Sequence, residues 1–198
     1  MTGKPFSQAC ANNREPIFRV LARAFADRRH ILEIGSGTGQ HAVYMAPRLP
    51  HLVWQTSDLA ENHAGINAWL DDEGADNIRR PLTLDVTGPW PPGPFDGAFT
   101  ANTCHIMSWP AVEAMFRGLD SVLGADAVLA VYGPFRYDGH YTSESNARFD
   151  QWLRDQAPHQ GIRDAGAVAA LAEDIGLALE EDNAMPANNQ LLVFRRRG

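Results

Sequence analysis

The chain of 198 residues contains few cysteines, few cations and no long apolar run. Its two cysteines, Cys10 and Cys104, match neither a disulfide framework nor the spacing of zinc ligands. No stretch approaches the ~20 apolar residues that a membrane-spanning helix needs. Residues 1–14 also lack the apolar centre of a signal peptide. We therefore expect a reduced, cytoplasmic protein that does not associate with membranes.

Positive charge is scarce as well. The chain has 17 Lys and Arg against 24 Asp and Glu, a formal net charge of −7. Affinity for nucleic acid rests on basic side chains that neutralise phosphates, so this balance predicts no nucleic-acid partner. A content of 44% hydrophobic residues is enough to fill a core, and we predict a single domain over residues 1–198.

Buried strands and amphipathic helices alternate along the chain, which predicts a parallel sheet with helices on both faces. We predict a first helix over 16–28, with Pro16 in its first turn. Two closing strands, 177–180 and 190–195, flank a Pro/Asn-rich turn and indicate an antiparallel hairpin. The predicted fold is thus α/β and Rossmann-like, with a seven-stranded, mostly parallel sheet whose other strands are 30–34, 52–57, 81–86, 95–101 and 127–132.

Strand 30–34 is followed by glycines at alternate positions, and this is the most informative pattern in the chain. Such glycines allow a sharp turn into a helix and the close approach of a ligand to the backbone. A dinucleotide fingerprint needs a glycine at position 40, where the chain has Gln40. Glu33, two residues before the first glycine, completes a pattern that resembles motif I of class I S-adenosylmethionine (SAM) methyltransferases. The pattern favours SAM over a nicotinamide cofactor.

Strand ends supply the other candidates for cofactor binding, because ligands of such sheets lie across the carboxyl ends of the strands. Asp58 follows the second strand and is placed either to bind both ribose hydroxyls or to cap the next helix. Asn102 would face the methionine part of the cofactor, and Glu33 would orient the loop from behind. The loop residues would border the carboxylate and ribose with the amides that open the next helix: Gly35, Ser36, Gly37 and Gly39.

Methyl transfer needs alignment and a dry site more than a strong catalytic group. His105, after the fourth strand, is the candidate general base, and a structural histidine is the alternative. Tyr132 ends the fifth strand and would donate a hydrogen bond to the acceptor, unless it is a core tyrosine. His140 lies in a loop without metal-ligand spacing, so we predict no metal.

Two segments, 7–17 and 133–161, carry polar and aromatic residues without a pattern that builds a core. Long excursions of this kind are usually functional lids or linkers, and their aromatic residues argue for order. We predict that both close over the cofactor and form the acceptor site. Arg14 and Asn13, before the first helix, would fold over the cleft and bind an acidic group of the substrate or cofactor, with a helix-start network as the alternative. Asn146 and Asp150 lie one helical turn apart on the second segment, where a substrate lid would be placed.

Five blocks of sequence resemble the family known as domain of unknown function 938, whose eukaryotic members are called methyltransferase-like 26. They are Leu32–Ala42, Trp54–Asp58, Ala101–Ile106, Tyr132–Phe135 and Met185–Asn189, and the similarity runs from about residue 7 to 195. The resemblance implies a class I SAM-dependent methyltransferase.

The same resemblance implies that Asp85 contacts the adenine edge and that Val86 packs on the ring, although a turn before Gly88 equally accounts for Asp85. We expect methyl transfer from SAM to a small-molecule nucleophile with an O, S or N acceptor. A SAM-binding regulatory protein and, less favoured, an NAD(P)-dependent oxidoreductase are the alternatives.

Overall fold

The computed structural model describes residues 4–196, which form alternating helices and strands. The first half contains α1 (Gln8–Ala24), β1 (His30–Ile34), α2 (Gln40–Met45), β2 (Val53–Asp58), α3 (His63–Glu73), β3 (Ile78–Thr83), β4 (Phe95–Ala101) and α4 (Trp109–Val122). The second half contains β5 (Leu123–Gly133), β6 (Phe135–Tyr137), β7 (His140–Tyr141), α5 (Glu144–Gln156), β8 (Arg163–Asp164), α6 (Ala165–Asp174), β9 (Leu177–Met185) and β10 (Asn189–Arg196).

Seven strands form one sheet in the order β3-β2-β1-β4-β5-β10-β9. The first five are parallel, whereas β10 runs antiparallel to both β5 and β9. Because Gln190 pairs with Gly133, the hairpin turn lies beside the carboxyl end of β5. The predicted fold class, with its closing antiparallel hairpin, is confirmed.

Two apolar cores cover the two faces of the sheet. Consecutive residues of a strand face opposite sides, so in β5 Leu129 and Val131 pack with α4 and α6. Val128 and Ala130 pack with α1 and α2 on the other face. This double burial explains why β5 is apolar along most of its length. Within residues 4–196, no helix combines the length and apolar character that crossing a bilayer requires.

The start predicted for the first helix is wrong. Helix α1 begins at Gln8, because Ser7 acts as its N-cap and accepts a hydrogen bond from the Cys10 N–H through Oγ, at 3.3 Å. Pro16 lies inside this helix, where proline lacks a donor but still has helical φ. Asn13 and Arg14 therefore belong to a helix and do not precede it.

Strand β3 also differs from the prediction, since it begins at Ile78 and ends at Thr83. Pro81 lies within it, which is tolerated because β3 is an edge strand and needs no partner on its outer side. The segment 133–161 holds α5, which carries Asn146 and Asp150. It also contributes β6 and β7, which form a small sheet with β8; such short strands leave no periodic signal.

Candidate functional site

A cavity of about 1010 Å³ opens at the carboxyl ends of the parallel strands. We call it the central cavity. Residues from the β1–α2 loop, the end of β2, the segment after β3 and the β4–α4 loop line one part of it. Helices α1 and α5 and the β9–β10 turn line the rest, together with the end of β5 and the later residues of the β4–α4 loop, where His105 contacts Phe149 of α5. Both segments predicted as lids thus contribute to its wall.

The glycine loop, residues 35–39, turns from β1 into α2 in a left-handed backbone. Gly37 has φ +59°, and a Cβ built there would meet nothing within 4 Å, so its backbone faces open space. At Gly35 a Cβ would lie 2.6 Å from Cγ2 of Thr103, which shows how closely the β4–α4 loop approaches. Gly39 packs against Ile66 and does not line the central cavity.

Glu33 lies beneath the glycine loop and is 2% exposed. Its carboxylate accepts hydrogen bonds from Ser36 Oγ at 2.9 Å and from Trp54 Nε1 at 3.0 Å. Burial raises the pKa of Glu33 to about 7, although these two hydrogen bonds oppose the shift. Ser36 Oγ in turn accepts from the Ser57 N–H at 3.2 Å. Glu33 thus holds the loop against β2 from behind, the position that the sequence indicates.

Asp58 does not cap α3, whose N-cap is Asn62, but its carboxylate fixes the backbone around the end of β2. It is buried at the end of β2 and lines the central cavity. One carboxylate oxygen accepts from the Leu59 N–H and from Asn62 Nδ2, each at 2.7 Å, which fixes the turn before α3. The other accepts from the Gly37 N–H at 2.7 Å and so secures the glycine loop. Its predicted contact with ribose stays a prediction.

Asp85 lies two residues beyond β3 and is exposed at the cavity rim. It accepts hydrogen bonds from the backbone N–H of Thr87 at 2.9 Å and from its hydroxyl at 2.7 Å. These bonds lower the pKa of Asp85. The turn that the sequence offered as an alternative is therefore present. Leu84 and Val86 line the same part of the cavity, and the adenine contact stays a prediction.

Asn102 follows β4 with a left-handed φ of +60°. Its N–H donates to the carbonyl of Tyr132 at 2.9 Å, which ties the end of β4 to β5. The residue lines the central cavity, between the glycine loop and the side with Tyr132. A non-glycine residue in this conformation costs energy, although asparagine tolerates it better than most residues.

His105 lines the central cavity and is 6% exposed. Burial and, to a smaller extent, Arg163 lower its pKa to about 4, so the ring is neutral at pH 7. Its ring contacts that of Phe149 edge to face, with 5.6 Å between centroids. Within residues 4–196, neither ring nitrogen has a hydrogen-bond partner. The loop that carries His105 is held by Arg163, whose Nε donates to the carbonyl of Cys104 at 2.9 Å.

A buried polar network joins α1 to α2 and β5, and sequence reasoning missed two of its members, Cys10 and His41. His41 Nε2 lies 2.8 Å from Asn13 Oδ1, and its Nδ1 lies 3.9 Å from Cys10 Sγ. Asn13 also opposes the effect of burial on the pKa of Tyr132, which burial raises. Burial lowers the pKa of His41 to about 4 and raises the pKa of Cys10. A helix that begins at Gln8, after the N-cap Ser7, places Cys10 and Asn13 on one face. Ser7 as a capping residue is the signal that could have found them.

The four residues predicted from the lid segments have different positions. Asn13 and Asn146 line the central cavity, whereas Arg14 and Asp150 do not. The Arg14 guanidinium instead lies over the ring of Tyr44, 4.6 Å from its centroid. Asn146 Nδ2 donates to Thr142 Oγ1 and to the carbonyl of Asn188, each at 2.9 Å, so it fastens α5 to the β9–β10 turn.

Asp150 has a structural role, because its carboxylate holds α5 to the neighbouring segments of the chain. It is 2% exposed and accepts hydrogen bonds from Tyr141 Oη at 2.7 Å, Arg154 Nε at 2.8 Å and the Ile162 N–H at 2.6 Å. Burial on its own raises the pKa of Asp150, but the three hydrogen bonds outweigh it and lower the pKa. The acid joins α5 to the segments before and after it. Substrate contact would require its carboxylate to leave these partners.

Several solved methyltransferase structures are similar to this fold. An O-methyltransferase family protein from Burkholderia thailandensis matches with a TM-score of 0.82 and 16% identity, over 93% of this chain and 56% of that one. Mitomycin 7-O-methyltransferase MmcR matches with 0.77 and 19%, over 93% and 57%. CalO1, a methyltransferase in calicheamicin biosynthesis solved in its SAH-bound form, matches with 0.75 and 18%, over 96% and 54%.

This chain spans little more than half the length of those proteins, and at such low identity the likeness shows the fold. The fold is that of class I SAM-dependent methyltransferases, as the glycine motif and the closing hairpin predicted. A family described as "Protein of unknown function (DUF938)" matches residues 4–196, nearly the whole chain. The chain therefore belongs to the DUF938 family.

Proposed function

We propose that the chain is a SAM-dependent methyltransferase that acts on a small-molecule nucleophile. The observation that carries the proposal is the extent of the central cavity. It continues from the glycine loop and Asp58 to a second region bounded by α1, α5 and the β9–β10 turn. Its volume of about 1010 Å³ is at the upper end for ligand sites. A protein that only held SAM would not need this second region, which favours an enzyme over a regulatory SAM-binding protein.

The residues of the first region fit SAM. At Gly37 the open backbone lets a ligand approach the main chain closely, and we assign Asp58 to the ribose hydroxyls as a charge-assisted acceptor. Asp85 and Val86 would border the adenine, and Asn102 the methionine part. When bound, SAM supplies a methyl group on a positively charged sulfur, and SAH is left after transfer.

In the reaction, the chain's own residues align the methyl acceptor, exclude water and remove the proton of the acceptor's nucleophilic group. Helices α1 and α5 cover the second region from two sides. His105, neutral at pH 7, can accept a proton from the acceptor at a ring nitrogen. Tyr132 keeps its proton, because burial raises its pKa, and we assign it as a hydrogen-bond donor to the acceptor atom.

We extend the proposal to partners and location. A net charge of −7 supports a small molecule over nucleic acid as the substrate. We propose a cytoplasmic protein that acts without a membrane. The NAD(P)-dependent alternative is disfavoured by Gln40 at the position where a dinucleotide fingerprint has glycine and by the antiparallel hairpin of β9 and β10.

Calorimetry with SAM, SAH and NAD tests the cofactor assignment. We expect binding of SAM and SAH and none of NAD; binding of NAD without a SAM signal would contradict the proposal. A screen of thiols, phenols, amines and carboxylic acids, read by release of SAH, then tests catalysis. SAM binding without turnover of any class would favour the regulatory alternative.

A further inference from the structure

The charges around the second region of the central cavity are distributed unevenly. Among the described residues that line the cavity, the acidic side chains are Asp58 and Asp85, both at the strand ends assigned to the cofactor. No Lys or Arg side chain from residues 4–196 belongs to the lining. The second region is lined by neutral groups, which include three side-chain amides, a phenol and an imidazole: Asn12, Asn13, Asn146, Tyr132 and His105.

The cations nearest in sequence to this wall are engaged elsewhere. Arg163 donates to the carbonyls of Cys104 and His159. Arg154 pairs with Asp150 at 2.8 Å, and Arg148 lies 3.7 Å from Glu144. Arg14 lies over Tyr44. The two histidines of the lining are also uncharged at pH 7, because burial lowers the pKa of each to about 4.

An anion in this region would find no countercharge among the described side chains that line the cavity. Burying a carboxylate or phosphate without an ion partner is strongly unfavourable, whereas amide and hydroxyl groups satisfy neutral polar atoms at little cost. The same wall also offers apolar area from Phe149, Met107 and Ile106. Phe149 stacks on Trp152, with planes 13° apart and centroids 5.8 Å apart, so its ring is held in place and can pack against a flat ligand.

Building on the function proposed above, we propose that the methyl acceptor is an uncharged molecule with an apolar, ring-sized body and a hydroxyl or thiol nucleophile. Carboxylates and phosphates are excluded because the wall holds no cation. Ammonium compounds are excluded because the two acids of the cavity belong to the cofactor side. The neutral amides of Asn13 and Asn146 then select substrates by hydrogen bonds to their uncharged polar atoms.

Binding to the SAH-saturated protein tests this charge class independently of turnover. The probes are matched phenols that differ in one group: 4-hydroxybenzamide, 4-hydroxybenzoate and 4-hydroxybenzylamine. By calorimetry, we expect the neutral amide to bind about tenfold or more tightly than either charged phenol. Tighter binding of a charged phenol, or no binding of 4-hydroxybenzamide at millimolar concentration, overturns the proposal.

A charge introduced into the wall gives a second, internal test. Ser145 is exposed, lines the cavity and lies on α5. In S145K, the benzoate should gain affinity relative to the benzamide, because the new ammonium supplies the missing partner. Q151K adds the same charge to the same helix away from the cavity and should leave the ratio unchanged. Equal ratios of benzoate to benzamide affinity in S145K and wild type contradict the proposal.

Failure of SAH to bind in the first titration would instead reject the proposed function. The failure of the further inference and the failure of the proposed function are therefore distinguishable.

Discussion

The two buried carboxylates beside the glycine loop perform different tasks, although both hold the same loop. Glu33 lies on the core side and receives hydrogen bonds from Trp54 and Ser36. Asp58 lies on the cavity side and receives the Gly37 N–H. The loop is thus fixed from both sides before a ligand arrives. Such preorganisation lowers the entropic cost of binding.

We expect Asp58→Ala to weaken SAM binding by about 1.5–3 kcal/mol, because a hydrogen bond to a charged group is lost and the loop loses its acceptor. Calorimetry measures the change, and circular dichroism verifies that the variant is folded. Glu61→Ala is the matched control, since Glu61 is exposed in the following turn and does not line the cavity. An affinity for SAM equal to wild type in Asp58→Ala would reject the ribose role.

Glu33→Gln should change how stability depends on pH. The folded-state pKa of Glu33, about 7, lies above its ordinary value of 4.5, so the protonated acid is favoured in the folded protein. Its contribution to stability is present below about pH 4.5 and is lost as the pH rises through 7. Glutamine keeps an acceptor for Ser36 and Trp54 and cannot ionise.

The free energy of unfolding of Glu33→Gln, relative to wild type, should therefore increase between pH 5 and pH 8, by on the order of 1–3 kcal/mol. Urea denaturation at the two pH values measures it. Asp85→Asn serves as the control. Because Asp85 is exposed, this substitution should change little the pH dependence of the free energy of unfolding relative to wild type. A constant difference between wild type and Glu33→Gln would show that Glu33 is ionised throughout.

At the scale of elements, two hydrogen bonds join α5 to the β9–β10 turn: Asn146 Nδ2 donates to the carbonyl of Asn188, and Asn188 Nδ2 donates to Ser145 Oγ. Asn146→Ala should lower turnover more than it lowers SAM affinity, since it loosens the wall of the second region and leaves the strand ends intact. Gln151→Ala, on the same helix with its amide bonded to Asp155, is the control.

Hydrogen exchange supplies a readout besides activity. SAH should increase protection of α1 and α5 in wild type, and less so of α5 in Asn146→Ala. Exchange that SAH leaves unchanged in both helices, combined with wild-type turnover in Asn146→Ala, would leave the predicted lid unsupported.

The sequence predicted best the elements that are surrounded by the apolar core on both faces. Strand β4 was predicted at its observed bounds and β5 at its core, because both are buried on two faces and are apolar. Helix α1 was misplaced because its first two turns are polar, and Pro16 resembled a start signal more than Ser7 did. The packing of these turns over the cavity is a tertiary effect that periodicity does not record.

The residues of the candidate site also fall into two groups, those that could be predicted from the sequence and those that could not. Residues at strand ends, such as Asp58 and Asn102, could be predicted because sheet topology alone brings them to one edge. Arg14 and Asp150 were predicted in the acceptor site but do not line the cavity, since their orientation depends on the rotation of a helix. His41 was missed for the related reason that its contacts lie on α1, an element whose extent was unknown from the sequence.

At the scale of the whole molecule, the surface charge has a testable consequence. With a net charge of −7 and nine arginines of residues 4–196 paired with acids, the protein should not hold nucleic acid at physiological ionic strength. Fluorescence anisotropy with labelled RNA and DNA at two salt concentrations measures this. Tight binding that weakens steeply with salt would contradict the expectation and redirect the search for an acceptor.

Cys104 is buried and Cys10 is half-buried, which has a practical consequence for labelling. Burial raises the pKa of the Cys10 thiol, and it raises that of Cys104 to about 11, so neither forms much of the thiolate that maleimides attack. The two native cysteines should therefore react slowly with maleimides and interfere little with the labelling of an introduced cysteine. A cysteine placed at the exposed Arg148 of α5 should react selectively, and a spin label or fluorophore there would report the distance of this helix from the sheet without prior removal of the native thiols.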